Sequence, residues 1–182
     1  MGRRTRRQLA VDLVAELEAI DRKLSELKTR LGHEVVGAGS HLMEVFGIGP
    51  AGAARVRPDV GDIARFPDRH HFVPWTGTAP INASSGEQHW HLLSRAGNRR
   101  LDHVLYMAAG IVQIRHETEG GVYYRRKLTE GKTPTEAMRC LRRRLSDVVY
   151  RQLVADAATA SQDEAGPGGH PPGRLQHQAR PT

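Results

Sequence analysis

Apolar residues step by three and four along the start of the chain: Ala10, Leu13, Leu17, Ile20, Leu24, Leu27 and Leu31. A repeat of about 3.5 residues predicts one helix over 5–31, with a narrow apolar seam suited to a coiled coil. The contact could lie within the chain or between two chains. An amphipathic helix lying on its own domain would carry a similar pattern. Gly32, Gly37 and Gly39 predict where the pattern breaks. Next, LMEVFGIGPAGAARV places an apolar turn before Gly47-Ile48-Gly49-Pro50 and a small-residue helix after it. This has the look of the hairpin in a helix-hairpin-helix unit. Gly47 and Gly49 permit a tight turn, and the amides that follow can meet a phosphate. A Gly-x-Gly can equally serve only as a turn.

Residues 57–100 are mixed and rich in Pro, Gly and His, and predict a loop-rich middle; its stretch WTGTAPINASSGE has neither helical nor strand period. Helical spacing returns with Leu101, Val104, Leu105, Ala108, Ala109 and Val112. Tyr123, Tyr124 and Leu128 suggest a shorter helix. Thr133-Pro134-Thr135-Glu136 is a start signal: a Thr cap, Pro at the first helical position and Glu closing a capping box. The helix it opens should run to about Val154, with Met138, Leu141, Leu145, Val149 and Leu153 inward. The Gly/Pro/Gln-rich tail cannot bury a core and reads as disordered. The expectation is an all-α fold: a coiled-coil helix over 1–35, a helical domain over 42–154 and a tail over 155–182.

Charge sharpens this picture. The chain has 182 residues, a net charge of +7 and a pI near 10.2, which favours a polyanionic partner. Between His89 and Arg151 stand thirteen Lys or Arg against six Asp or Glu, a difference of +7. The cations cluster as Arg95, Arg99 and Arg100, then Arg125, Arg126 and Lys127, then Arg139, Arg142, Arg143 and Arg144. A balanced solvated face would alternate signs, and RCLRRRL does not. Phosphate binding accounts for the runs better and predicts salt-dependent affinity without base readout. No apolar run approaches the ~20 residues of a membrane span. The basic start lacks the apolar stretch of a signal peptide. Cys140 is the only cysteine and fits a core position. Cytoplasm is the expected compartment.

Candidate chemistry is sparse. His89, His91 and His103 lack zinc spacing, and Asp59, Asp62 and Asp68 are spread through loops, so no metal site is expected in this chain. Ser84 and Ser85 precede a glycine. A serine is a weak nucleophile unless activated, and most serines so placed are structural. Arginines nearby could stabilise charge developing on an attacked phosphodiester.

Six motifs then stand in one order: FGIGPAGAARV, DVGDIARF, WTGTAP, SSG, SRAGNRRLDHVLYMAA and YYRRKLTEGKTPTEAMRCLRRRLSDVVYRQL. Together, from about Leu42 to Leu153, they resemble the C-terminal domain of transposases of the insertion-sequence one-ten (one-sixteen/nine-oh-two) family. The resemblance implies a recombinase that moves a DNA element through a circular intermediate, guided by an element-encoded bridge RNA. It implies a resolvase-like domain with four acidic Mg²⁺ ligands, joined by a coiled coil to an α-helical domain bearing a serine nucleophile. By position, that serine is Ser85, with Ser84 as the alternative. The acidic domain is missing from these residues, so the chain reads as truncated, with Mg²⁺ implied for the missing part and none held here. The implied partners are DNA, a guide RNA and a second copy through residues 5–31. The competing readings are a non-catalytic nucleic-acid-binding remnant and a helix-hairpin-helix accessory protein unrelated to transposition.

Overall fold

The computed structural model describes residues 2–85, 88–93 and 97–164. Within these, the side chains of residues 3, 80–85, 88–93, 111, 163 and 164 lie outside the description. Helix α1 spans Arg3–Gly37, α2 Pro50–Val60, α3 Arg69–Trp75, α4 Arg99–Tyr106, α5 Glu119–Thr129 and α6 Pro134–Glu164. The class is all-α, as expected, with one two-stranded hairpin added.

Helix α1 outruns its predicted end. Gly32 does not break it; the bare backbone there admits the Pro50 ring, which a Cβ would meet at 3.6 Å. The helix closes at Gly37, and Gly39 turns the chain at φ 70°. From Arg4 to Arg30 every described side chain is exposed, and burial begins only at Gly32 and Val35. The seam therefore does not pack on its own domain. Leu17 is 60% exposed and Ile20 61%.

The core forms where α2, α4 and α6 converge. Val56, Val60, Phe72, Leu101, Leu105, Leu141 and Val149 are each essentially sealed from solvent. All of the predicted apolar positions of α6 face inward, with Met138 partly covered. The predicted capping box is present: the Thr133 amide donates to Glu136 Oε2 at 2.9 Å, and the Glu136 amide donates to Thr133 Oγ1 at 3.4 Å. Helix α6 continues past Val154 to Glu164. Residues 155–164 contain four alanines and no Gly or Pro, so nothing stops the helix before Gly166. The first part of the expected tail is thus helical, and residues 165–182 lie outside the described residues.

After α4 the chain continues as a π-helical segment, Met107–Gln113. Buried Gln113 ties it to the GIGP turn by donating from Nε2 to the Phe46 carbonyl at 2.8 Å. Gly47, at φ 95°, lies against Ala108, whose carbonyl oxygen a Cβ would meet at 3.0 Å. Gly47 thus serves close packing, while exposed Gly49 caps α2.

A pH-dependent clasp joins the end of α1 to α6. The His41 amide and Nδ1 meet the Asp156 carboxylate at 3.0 and 2.9 Å. The hydrogen bond and charge of Asp156 raise the His41 pKa. Burial pushes Asp156 up, but bonds from Gln152 and His41 outweigh it and hold the carboxyl below its ordinary range. A raised His pKa stabilises fully below the unfolded value of about 6.5, and the contribution is lost as pH rises through the folded value. Thermal melts should therefore lose stability as pH rises above about 6.5, and His41→Ala should flatten that part of the curve. A His41→Ala profile parallel to the wild type would remove the clasp as its cause.

Candidate functional site

The quoted serine loop is a hairpin. Strand β1, Pro80–Ser85, pairs antiparallel with β2, Gln88–Leu93, from Pro80↔Leu93 to Ser85↔Gln88. This corrects the expected loop around Ser85: paired backbones satisfy their own hydrogen bonds, and PINASS and QHWHLL are short enough to lack a visible period. Ser85 stands in the last described pair of the ladder. Its side chain, and those of Ser84, His89, His91 and Arg95, lie outside the described residues.

What positions the hairpin is its root. Two glycines meet there: a Cβ on Gly97 would come within 2.5 Å of the Gly77 backbone, and Gly77 turns at φ 73°. The Asn98 amide donates to the Trp75 carbonyl at 2.7 Å, closing the two legs. Thr76 and Thr78, on either side of Gly77, are buried. Thr76 Oγ1 lies 2.9 Å from Thr78 Oγ1 and 3.1 Å from Ser146 Oγ of α6, and donates to the Val73 carbonyl. Trp75 packs with Phe66 and Phe72, and Arg65 stacks over Phe66 and Trp75 at 4.6 and 4.7 Å. Gly97→Ala should force the legs apart while touching no core side chain. The expected result is faster amide exchange at Asn98 with an almost unchanged melting temperature. A protected Asn98 amide in that variant would mean the glycine contact is not what closes the root.

Beneath Gly77 lies an ion pair. Asp102 of α4 sits against Gly77 and pairs with Arg142 of α6. Arg142 is buried, and its Nε has no hydrogen-bond partner among the described residues. Tyr106 covers the guanidinium at 5.7 Å. Burial lowers the Arg142 pKa, but an arginine remains charged. Arg142 was expected on a phosphate-binding run, yet its 8% side-chain exposure leaves no route to a DNA backbone.

Of the other predicted cations, Arg95 lies outside the described residues and Arg139 of α6 has no ion pair among them; the rest divide into two places. On α5 and α6, Arg125 faces Glu117, Arg126 and Lys127 face Glu130, Arg143 faces Asp147 and Arg144 faces Glu119. Tyr123 lies among Arg126, Lys127 and Arg144, each within 5.4 Å of its ring. Arg99 and Arg100 instead open α4, where Asn98 Oδ1 accepts from the Arg100 and Leu101 amides. They face α2 across a cleft of about 650 Å³ lined also by Arg55, Asp59 and His103. Sequence reasoning missed Arg55 because it lies outside any basic run, and missed Thr76, Thr78 and Ser146 as a group because they meet only in space. Among the described residues, no group of three or more His, Cys, Asp or Glu is placed to hold a metal ion, and no helix is long and apolar enough to cross a membrane.

Comparison with known proteins points one way. The pattern of the family described as Transposase IS116/IS110/IS902 matches residues 39–125, which include the GIGP turn, the hairpin and α4. A 43.6 kDa protein of insertion element IS110 from Streptomyces coelicolor is 32% identical over 59% of this chain and 26% of its own length. A 44.8 kDa protein of IS116 from Streptomyces clavuligerus is 28% identical over 84% of this chain and 39% of its own. A 42 kDa protein of IS900 from Mycobacterium paratuberculosis is 36% identical over 51% of this chain and 23% of its own. The chain therefore aligns with well under half the length of each of these relatives.

Proposed function

We infer that this chain is a DNA-binding part of an insertion-element transposase of the IS116/IS110/IS902 family, and that Ser85 is its nucleophile. The observation that carries the reading is the hairpin root. Gly77, Gly97, the buried hydroxyls and the Asp102–Arg142 pair fix the root from which the strand ending in Ser85 extends, and Arg99 and Arg100 of α4 follow that root in the chain. A reacting group on a braced strand meets its target more reproducibly than one on a free loop. In the proposed step Ser85 Oγ attacks a DNA phosphorus and forms a phosphoserine ester. The bond to a deoxyribose oxygen breaks, and the serine proton, taken up by a base, is returned to that oxygen, which leaves as a hydroxyl. Cationic side chains would stabilise the charge on the phosphoryl oxygens.

Mg²⁺ would be held by an acidic domain outside this stretch of chain. A guide RNA and a second copy joined through the exposed seam of α1 complete the proposed assembly. The seam supports the second copy because its leucines are left uncovered by the chain's own domain.

The test is covalent capture. The chain is mixed with element-end DNA, Mg²⁺ and an intact relative, then run on a denaturing gel. A DNA-linked band at this chain's mass supports transposition chemistry. Salt-sensitive binding with no such band favours the non-catalytic nucleic-acid-binding reading.

A further inference from the structure

Six cations of the α5–α6 region, Arg125, Arg126, Lys127, Arg142, Arg143 and Arg144, are set against five carboxylates: Glu117, Glu130, Asp102, Asp147 and Glu119. Their net charge is about one unit. The α2–α4 cleft holds Arg55, Arg99 and Arg100 against Asp59 alone, a net of two. Arg55 and Arg99 have no ion pair or hydrogen bond to another side chain among the described residues. Asp59 is mostly buried and lies 3.7 Å from Arg100, whose side chain is 80% exposed and oriented by that contact. Field lines concentrate in a concave site lined by one sign of charge. The cleft is therefore a concave place where guanidinium groups of two helices converge, whereas Arg142, Arg143 and Arg144 of the longest arginine run are ion-paired and Arg139 of that run, among the described residues, is not.

The cleft's chemistry selects among anions. At about 650 Å³ it holds roughly twenty waters of ~30 Å³ each, room for a sugar–phosphate unit with its hydration. No Phe, Tyr or Trp lines it, and the His103 ring is the one aromatic group among its described lining residues, so its platform for stacking unpaired bases is small. Three guanidinium groups suit phosphate oxygens, which they meet in bidentate fashion. The cleft also adjoins the hairpin, since Gly97 and Asn98 of the root lead directly into Arg99.

We propose that the α2–α4 cleft seats the phosphate backbone of duplex DNA through Arg55, Arg99 and Arg100, next to the root of the Ser85 hairpin. This rests on the DNA-binding reading above and deepens it by naming the surface. The contacts are sequence-independent, because phosphates position a duplex without reporting its bases.

The experiment is fluorescence anisotropy of the full chain on a labelled duplex across a NaCl series. Each lost phosphate contact lowers the slope of log K against log salt by about 0.9. Arg55→Ala/Arg99→Ala should lower it by about 1.8, while Arg55→Lys/Arg99→Lys keeps most of it. The control Arg125→Ala/Arg126→Ala should change it by less than about half as much as the cleft pair. A wild-type slope in the cleft alanine variant, or an equal loss in the control, overturns the proposal. Absence of salt-dependent binding by the wild type overturns both the cleft and the DNA-binding reading. A missing covalent band with the slopes as expected leaves the cleft standing and removes only the nucleophile. Arg55 and Arg99 are exposed, so circular dichroism should show both variants folded.

Discussion

Ser85→Ala should abolish the covalent protein–DNA band completely while leaving salt-dependent DNA binding unchanged. The two readouts separate because the hydroxyl forms the bond, whereas affinity comes from phosphate contacts elsewhere. Alanine removes one oxygen and leaves the β1 backbone ladder, Ser85 opposite Gln88, free to form as before. Ser84→Ala is the matched control. Neighbouring positions of a strand alternate between its faces, so one phosphate cannot be approached equally by both. Ser84 pairs one step further in, opposite His89. The expected pattern is a band from Ser84→Ala and none from Ser85→Ala. The reverse pattern would move the nucleophile to Ser84. A band surviving in the double variant Ser84→Ala/Ser85→Ala would exclude both serines.

Asp102→Ala should destabilise the domain by about 3–5 kcal/mol, the range for stranding one member of a buried ion pair. Arg142→Met should cost much less, roughly 1.5 kcal/mol. The asymmetry follows from exposure. Removing Asp102 leaves a guanidinium with 8% of its side chain exposed and, among the described residues, the Tyr106 ring beside it. Removing Arg142 leaves a carboxylate that is 36% exposed and can draw on water, while methionine keeps much of the packing of the arginine stem. Urea denaturation of both single variants and the double variant measures this, and the double should recover part of the Asp102→Ala loss. Equal costs for the two single variants would mean the pair is hydrated in solution rather than buried. Because Asp102 also lies against Gly77, Asp102→Ala should weaken hairpin-dependent chemistry, and Arg142→Met less so.

Such a pair was invisible in the sequence for a definite reason. Arg142 belongs to RCLRRRL, where four arginines look alike, and charge runs carry no record of which member turns inward. Helix α6 decides it: Leu141, Leu145 and Val149 define the buried face, and Arg142 and Ser146, four apart, border it toward the hairpin root. The capping box at Thr133 was legible because its geometry is local and its partners lie three residues apart. The hairpin was not, because two six-residue strands without clear alternation depend on their pairing and on a root closed by glycines twenty residues apart.

By itself, the sequence determined the all-α class, the heptad seam of α1, the inward face of α6, the basic character and the ordered motifs shared with insertion-element transposases. These follow from short-range periodicity, capping and composition, which one stretch of chain expresses alone. Only the tertiary structure decided that the α1 seam is uncovered by its own domain, that Ser85 ends a paired strand, that Arg142 is buried, and that Arg55, Arg99 and Arg100 meet in the α2–α4 cleft. Each depends on which residues far apart in the chain come together. Burial and charge compensation are sums over those neighbours, and spacing along the chain does not contain them.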